Sequence, residues 1–314
     1  MLTTVMLALT FATPASAEPS QKDIDRAQET ADRLFHEAEI ASERYNDARA
    51  ALDDTQLRVK SLNADLSRQQ GKVDAMRSQV ATLVVGQFQS DALSTASQVV
   101  LSDDPDAFLD NLSAVTSYNT QRGQVMDTFG TEVQRLTLRK NAVREEMKTI
   151  AALEQRSAKE KATLDAKAAE AKDVLSGLKA EARTAMMSGT WKGPIPDASG
   201  RAAVALRYAM NQVGKSYVYG AAGPSAFDCS GLTMMAWAQA GVGLPHSSAA
   251  QYSSGPHVPE SQLQPGDLVF YYSPISHVGM YIGNGQIVHA ANPGAGVTTG
   301  SLHSMPYVGA VRPG

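Results

Sequence analysis

At 314 residues the chain is too long for one average domain, and a norm of about 150 residues per domain points to two. A net charge of -4 and a sequence pI of about 5.9 give no reason to expect a nucleic-acid or anionic-membrane partner. The single cysteine, Cys229, excludes a disulfide within the chain.

Leu2 to Phe11 form a short apolar run, and Ala15-Ser16-Ala17 is the small-x-small pattern cut by signal peptidase. Residues 1–17 therefore read as a secretion signal, with an uncleaved anchor as the alternative. The usual positive n-region is missing, as it would be if the true start lay upstream. Export to an extracytoplasmic, cell-wall or periplasmic space makes an unpaired cysteine informative: it is a reactive thiol, an intermolecular bridge or a metal ligand.

Residues 18–187 read as a coiled-coil domain. Apolar residues recur at alternating steps of three and four through Ile24, Ala27, Ala31, Leu34, Ala38, Ala41, Tyr45 and Ala48, and on through Gln69 and Val73 to Leu83. That is a heptad seam, and its charged flanks read as a solvated coil surface. A looser second seam runs from Leu112 and Val115 through Met126, Leu136 and Met147 to Ala185; its polar members can fix register or partner choice. Between the seams, 84–108 breaks the rhythm and reads as a small helical tip, with Pro105 in the first turn of a new helix. Pairing of the seams within one chain would be antiparallel, with a first arm of about 90 Å; pairing between chains, a self-association, is the alternative. Gly189, Gly193, Pro194, Pro196 and Gly200 mark 188–200 as a linker.

Residues 201–314 change character to short strands and helices. Ala202 to Val213 reads as a helix stopped by Gly214, Ser216 to Gly220 as extended, and the stretch after Cys229 as a helix stopped by Gly241 and Gly243. Leu268 to Tyr272 follows a Pro-Gly-Asp turn as a strand. His277 to Ile282 and Gln286 to Ala291 flank Gly283-Asn284-Gly285 as a hairpin.

Cys229 sits where a loop enters a helix, where the helix dipole and a neighbouring histidine lower a thiol's pKa. The bland reading of such a cysteine is a small buried hydrophobe. Ser230 and Gly231 are small enough to let a substrate approach. The hairpin supplies a geometric test, because side chains alternate in facing. A two-residue loop pairs Gly283 with Gln286 and sends His277 and His289 to opposite faces. A three-residue loop places His289 opposite Gly279, so that both share a face about 7 Å apart. Only the second lets His277 act as base for Cys229 while His289 orients it.

Tyr217-Val218-Tyr219-Gly220, Phe227-Asp228-Cys229-Ser230-Gly231-Leu232, Pro265-Gly266-Asp267-Leu268-Val269-Phe270 and His277-Val278-Gly279-Met280-Tyr281-Ile282-Gly283 with Val288-His289-Ala290 resemble the bacterial NlpC-type cell-wall cysteine peptidases. The resemblance covers about 201–314. It implies a papain-like α+β domain following the all-α coiled coil, with Cys229 as nucleophile, His277 as base and His289 as third polar residue. Tyr217, Asp228 and Ser230 would lie around the oxyanion and substrate, and no cofactor or metal is implied. The substrate class it implies is peptidoglycan stem peptides, cut between D-glutamate and the diamino acid by acyl transfer. His246 stands where that family often has arginine, which puts substrate contacts there in doubt; His246 and His257 read as surface loop residues. The N-terminal region resembles, less specifically, the coiled coils of secreted hydrolases activated by an FtsEX-type membrane complex, which would dock at the tip. Two other readings compete. One is zinc held by Cys229, His277 and His289, against which stands the lack of a further clustered ligand. The other is a coiled-coil scaffold whose C-terminal domain only binds wall.

Overall fold

A computed structural model describes residues 21–89, 105–176 and 198–314. The signal peptide, most of the tip and most of the linker expected from the sequence lie outside these residues. Two very long helices come first, α1 (Gln21–Gln89) and α2 (Pro105–Ser176). Pro105 opens α2, where its missing N–H costs nothing. No helix among the described residues is long and apolar enough to cross a membrane.

The chain divides into two compact units, Met1–Asp47 with Ala158–Gly314, and Ala48–Ser157. The second unit is an antiparallel helix pair within one chain. Arg58 lies 3.3 Å from Glu146 across it, and Arg139 pairs with Asp65. The polar seam residue Gln69 is buried and donates to the Glu132 carbonyl at 3.0 Å and carboxylate at 2.6 Å, while Lys72 and Arg135 close on the same carboxylate at 2.7 and 2.8 Å. Two cations and an amide hold Glu132 ionised, its pKa pulled down to about 2 by the Gln69 bond first and Lys72 second. The second seam is only partly covered: Leu136 is buried, whereas Leu112, Val115, Met126 and Met147 are exposed.

In the first unit the start of α1 and the end of α2 pack through Ala31, Leu34 and Phe35 against Ala171, and through Ala38 and Ala41 against Leu164. The C-terminal domain then runs α3 (Gly200–Met210), β1 (Ser216–Tyr217), β2 (Ala226–Phe227), α4 (Cys229–Gln239), α5 (Ser248–Gln251) and strands β3 (Leu268–Tyr271), β4 (His277–Gly283), β5 (Gln286–Ala290), β6 (Val297–Ser301) and β7 (Tyr307–Val311). The last five form one antiparallel sheet ordered β6-β5-β4-β3-β7. Leu232, Ala236 and Trp237 of α4 pack with Leu206 and Ala209 of α3 against Leu268, Phe270, Met280 and Val288, making a helix-on-sheet core that fixes the start of α4 beside the start of β4. This is the papain-like α+β arrangement expected from the sequence. The helix after Gly200 begins and ends slightly earlier than expected, and β3 stops at Tyr271 because Tyr272 turns to φ 68°. Strands β6 and β7 were not anticipated, since Val297–Ser301 and Tyr307–Val311 carry glycine and little alternation.

Candidate active site

Cys229 is the first residue of α4 and is fully buried. Asp228 is the N-cap, and its carboxylate accepts from the Gly231 N–H at 2.6 Å, the ordinary way to satisfy a helix's first free N–H groups. The same carboxylate accepts from the Gly220 N–H at 2.8 Å, tying the turn that follows β1 to the turn before Cys229. Position 231 has to be glycine, because a Cβ there would stand 2.3 Å from the Ala221 carbonyl.

The hairpin differs from expectation in an instructive way. Gly283 pairs with Gln286, so the loop is the two-residue turn Asn284-Gly285, with φ 53° and 67° as a type I′ turn needs. By itself that turn would put His289 opposite Met280, facing the core. Between Tyr281 and Gly283 the register slips, however, and Met280 pairs with Val288. Ile282 is thus the extra residue of a β-bulge, and it restores the parity that a three-residue loop would have given. His289 comes opposite Gly279, where a Cβ would lie only 3.4 Å from the His289 Cβ. The two imidazoles share a face, with His277 Nε2 2.8 Å from His289 Nδ1.

The thiol, meanwhile, is not in an acidifying environment. Burial pushes the Cys229 pKa well up, and Glu39, Glu43 and Asp228 push it further, overriding the helix dipole. Two of those carboxylates come from α1. Glu39 and Glu43 flank the heptad seam, where a solvated surface was expected, yet they are only 6% and 5% exposed. Phe35, Glu39, Glu43 and Asn46 form one helical stripe lying along the cleft. The Tyr219 hydroxyl donates to the Phe35 carbonyl at 3.3 Å, and Asn46 donates to Asp228 at 3.3 Å.

Glu39 Oε1 stands 2.6 Å from His277 Nδ1 and 3.5 Å from the Tyr217 hydroxyl. Burial raises the Glu39 carboxyl to about 8 and lowers His277 to about 3, so near neutrality the proton rests on Glu39, which donates it to a neutral imidazole. The ring nitrogen that would take the thiol's proton is thereby occupied. Glu43 fills a cradle of donors: Ser230 Oγ at 2.7 Å, Ser248 Oγ at 2.7 Å and the Ser248 backbone N–H, with Cys229 Sγ 3.8 Å away. Burial again raises its carboxyl, to about 8, and Asp228 adds to the rise. Gln251 of α5 sets this cradle by donating to the Ser230 and Pro245 carbonyls at 2.9 and 2.8 Å.

Cys229, His277, His289, Tyr217, Asp228 and Ser230 all therefore converge. His246, read as a surface residue, instead places Nε2 2.8 Å from Asp228. His257 is exposed, as expected of a loop residue. Glu39, Glu43 and Ser248 escaped sequence reading. The zinc alternative also changes: His289 Nδ1 is turned to His277 and away from the thiol, while Glu39 joins Cys229 and His277 in a buried cluster.

The fold and site thus define a thiol with two hydrogen-bonded, mutually perpendicular imidazoles at the meeting of a helix and a sheet. Residues 214–310, about a third of the chain, match the NlpC/P60 family, and this domain is of that type. A probable endopeptidase of Corynebacterium glutamicum is 46% identical over 104 residues, 33% of this chain and 50% of that protein. Probable endopeptidase p60 of Listeria monocytogenes is 52% identical over 88 residues, 27% of this chain and 18% of that protein. Among solved structures, the peptidoglycan hydrolase RipB of Mycobacterium tuberculosis aligns with a TM-score of 0.34 at 34% identity, covering 36% of this chain and 64% of that one. The chain therefore spans half or less of the length of these two curated relatives.

Proposed function

We propose that the protein is a secreted cysteine peptidase that cuts peptidoglycan stem peptides, with α1 holding it shut at rest. The observation carrying the reading is the convergence of Cys229, His277 and His289 on one site, with His277 Nε2 2.8 Å from His289 Nδ1. Once Glu39 withdraws, His277 Nδ1 is free to take the thiol proton. The thiolate attacks the scissile carbonyl, and the Cys229 N–H at the head of α4 is aimed to stabilise the oxyanion. The imidazolium passes its proton to the leaving amine, and water hydrolyses the thioester. His289 acts as a positioning residue that fixes the tautomer of His277.

The cradle around Glu43 supports the choice of bond. Three donors gathered within a few ångströms of the thiol suit a residue whose free carboxylate neighbours its scissile carbonyl. A D-glutamate linked through its side chain to a diamino acid has that form. Occupation of cradle and base by Glu43 and Glu39 supports restraint by the coiled coil, which a partner such as an FtsEX-type membrane complex would relieve. Digestion of purified peptidoglycan followed by mass spectrometry of the products tests the reading. The full chain carrying Glu39→Ala and Glu43→Ala should release fragments ending in D-glutamate, and addition of Cys229→Ala should abolish them. Cleavage that survives Cys229→Ala would overturn it.

A further inference from the structure

Docking of α1 does more than occupy the base. It brings a carboxylate to a thiol and an imidazole that alone would make a poor metal site. The ligand atoms of Glu39, Cys229 and His277 all lie within 4.8 Å of one another, and all three residues are buried. Ligands of a tetrahedral zinc lie at about 2.0–2.3 Å from the ion, hence about 3.3–3.8 Å from each other, so side-chain rotations have to open the Glu39–His277 pair from 2.6 Å while drawing the thiol in. We propose that the docked site binds zinc, with Glu39 supplying the ligand that Cys229 and His277 lack, so that the ion fastens α1 over the reactive pair. This rests on the reading of Cys229 and His277 as the reactive pair, and it names a second restraint on them.

Three further features favour zinc. Sulfur, nitrogen and one carboxylate oxygen form a borderline-soft donor set, which suits zinc and not magnesium or calcium. His277 presents Nδ1 to the cluster while its Nε2 faces His289 Nδ1 at 2.8 Å, the outer-shell hydrogen bond that orients most metal-bound histidines. A cavity of about 370 Å³ lined by Glu39, Tyr217, His277 and His289 adjoins the cluster and leaves room for water as a fourth ligand. On binding, the thiol proton and the proton between Glu39 and His277 leave to solvent, and the ion takes their places. Zinc occupancy and thiolate attack then exclude each other. By linkage, zinc favours docked α1, and docked α1 favours zinc.

The experiment is titration of the metal-free full chain with zinc against a competing chelator, with cobalt as an optically visible substitute. One ion per chain is expected, with thiolate-to-cobalt absorption and slower hydrogen exchange across 35–46. Glu39→Gln should weaken zinc binding about 100-fold, and His289→Ala about 10- to 100-fold, in variants whose circular dichroism matches the parent. Affinity no higher than that of Cys229→Ala would overturn the proposal. So would affinity unchanged in Glu39→Gln, because the metal would then sit on the open pair without α1. Binding is read without any cleavage, so a chain that binds zinc but never cuts peptidoglycan would refute the proposed function and leave this inference standing.

Discussion

Two sets of buried carboxylates sit on these helices, and they are handled in opposite ways. Glu132 meets Lys72 and Arg135 at 2.7 and 2.8 Å and stays ionised. Glu39 and Glu43 meet hydroxyls, an amide and an imidazole, with their carboxyls raised to about 8. A paired charge that fixes register is permanent, because removing either partner strands the other. A carboxyl kept neutral by burial regains full hydration on leaving, so nothing comparable strands its partners. On the proposed function, the contrast is that between a joint and a latch.

The largest expected effect breaks the latch. Glu43→Ala with Glu39→Ala removes several hydrogen bonds at about 1 kcal/mol each, so alkylation of Cys229 in the full chain should accelerate about 100-fold. An unchanged rate would mean that α1 does not guard the thiol. Asn46→Ala removes one bond at the rim of the same stripe, and a rise of about fivefold is expected in the same assay. Gln69→Ala tests the joint: it leaves the Glu132 carboxylate short of a donor and should lower stability of the helix pair by about 1–3 kcal/mol in denaturant melts, with alkylation unaltered.

Acidity should act on the two sets with opposite sign. The docked Glu39 and Glu43 hold protons that they would lose when exposed, so docking is best supported below the ordinary carboxylate range and weakens as pH rises toward 8. His277, lowered to about 3, offsets one of these two carboxyls below its ordinary 6.5, so the loss should be gradual from about 4.5 and steepest between pH 6.5 and 8. Hydrogen exchange across 35–46, corrected for intrinsic rates, should rise over that window and level off above it. Glu132 contributes stability that is present above about 4.5 and lost as pH falls toward 2, which circular dichroism of the helices would register.

How much of this was legible follows the range of the interactions. The heptads, the helix start at Cys229 and the hairpin about Asn284 are local patterns, and each emerged from the sequence itself. The shared face of the two histidines was legible as a requirement but not in its means. Nothing in Met280-Tyr281-Ile282 distinguishes a bulged strand from a regular one. Glu39 and Glu43 were illegible for a different reason. A charged residue beside a heptad seam is ordinarily solvated, and only contacts 187 to 238 positions along the chain, to Ser230, Ser248 and His277, reverse that. His246 was hidden at shorter range, because its partner, 18 positions earlier, is the cap of another element.

The bulge at Ile282 carries a genetic corollary. Ile282 is the unpaired residue of the bulge, so loss of its codon alone would leave a regular two-residue hairpin with Met280 still opposite Val288 and His289 still opposite Gly279. A single-codon deletion at this one position should therefore keep the two imidazoles on one face, at the cost of one buried apolar side chain.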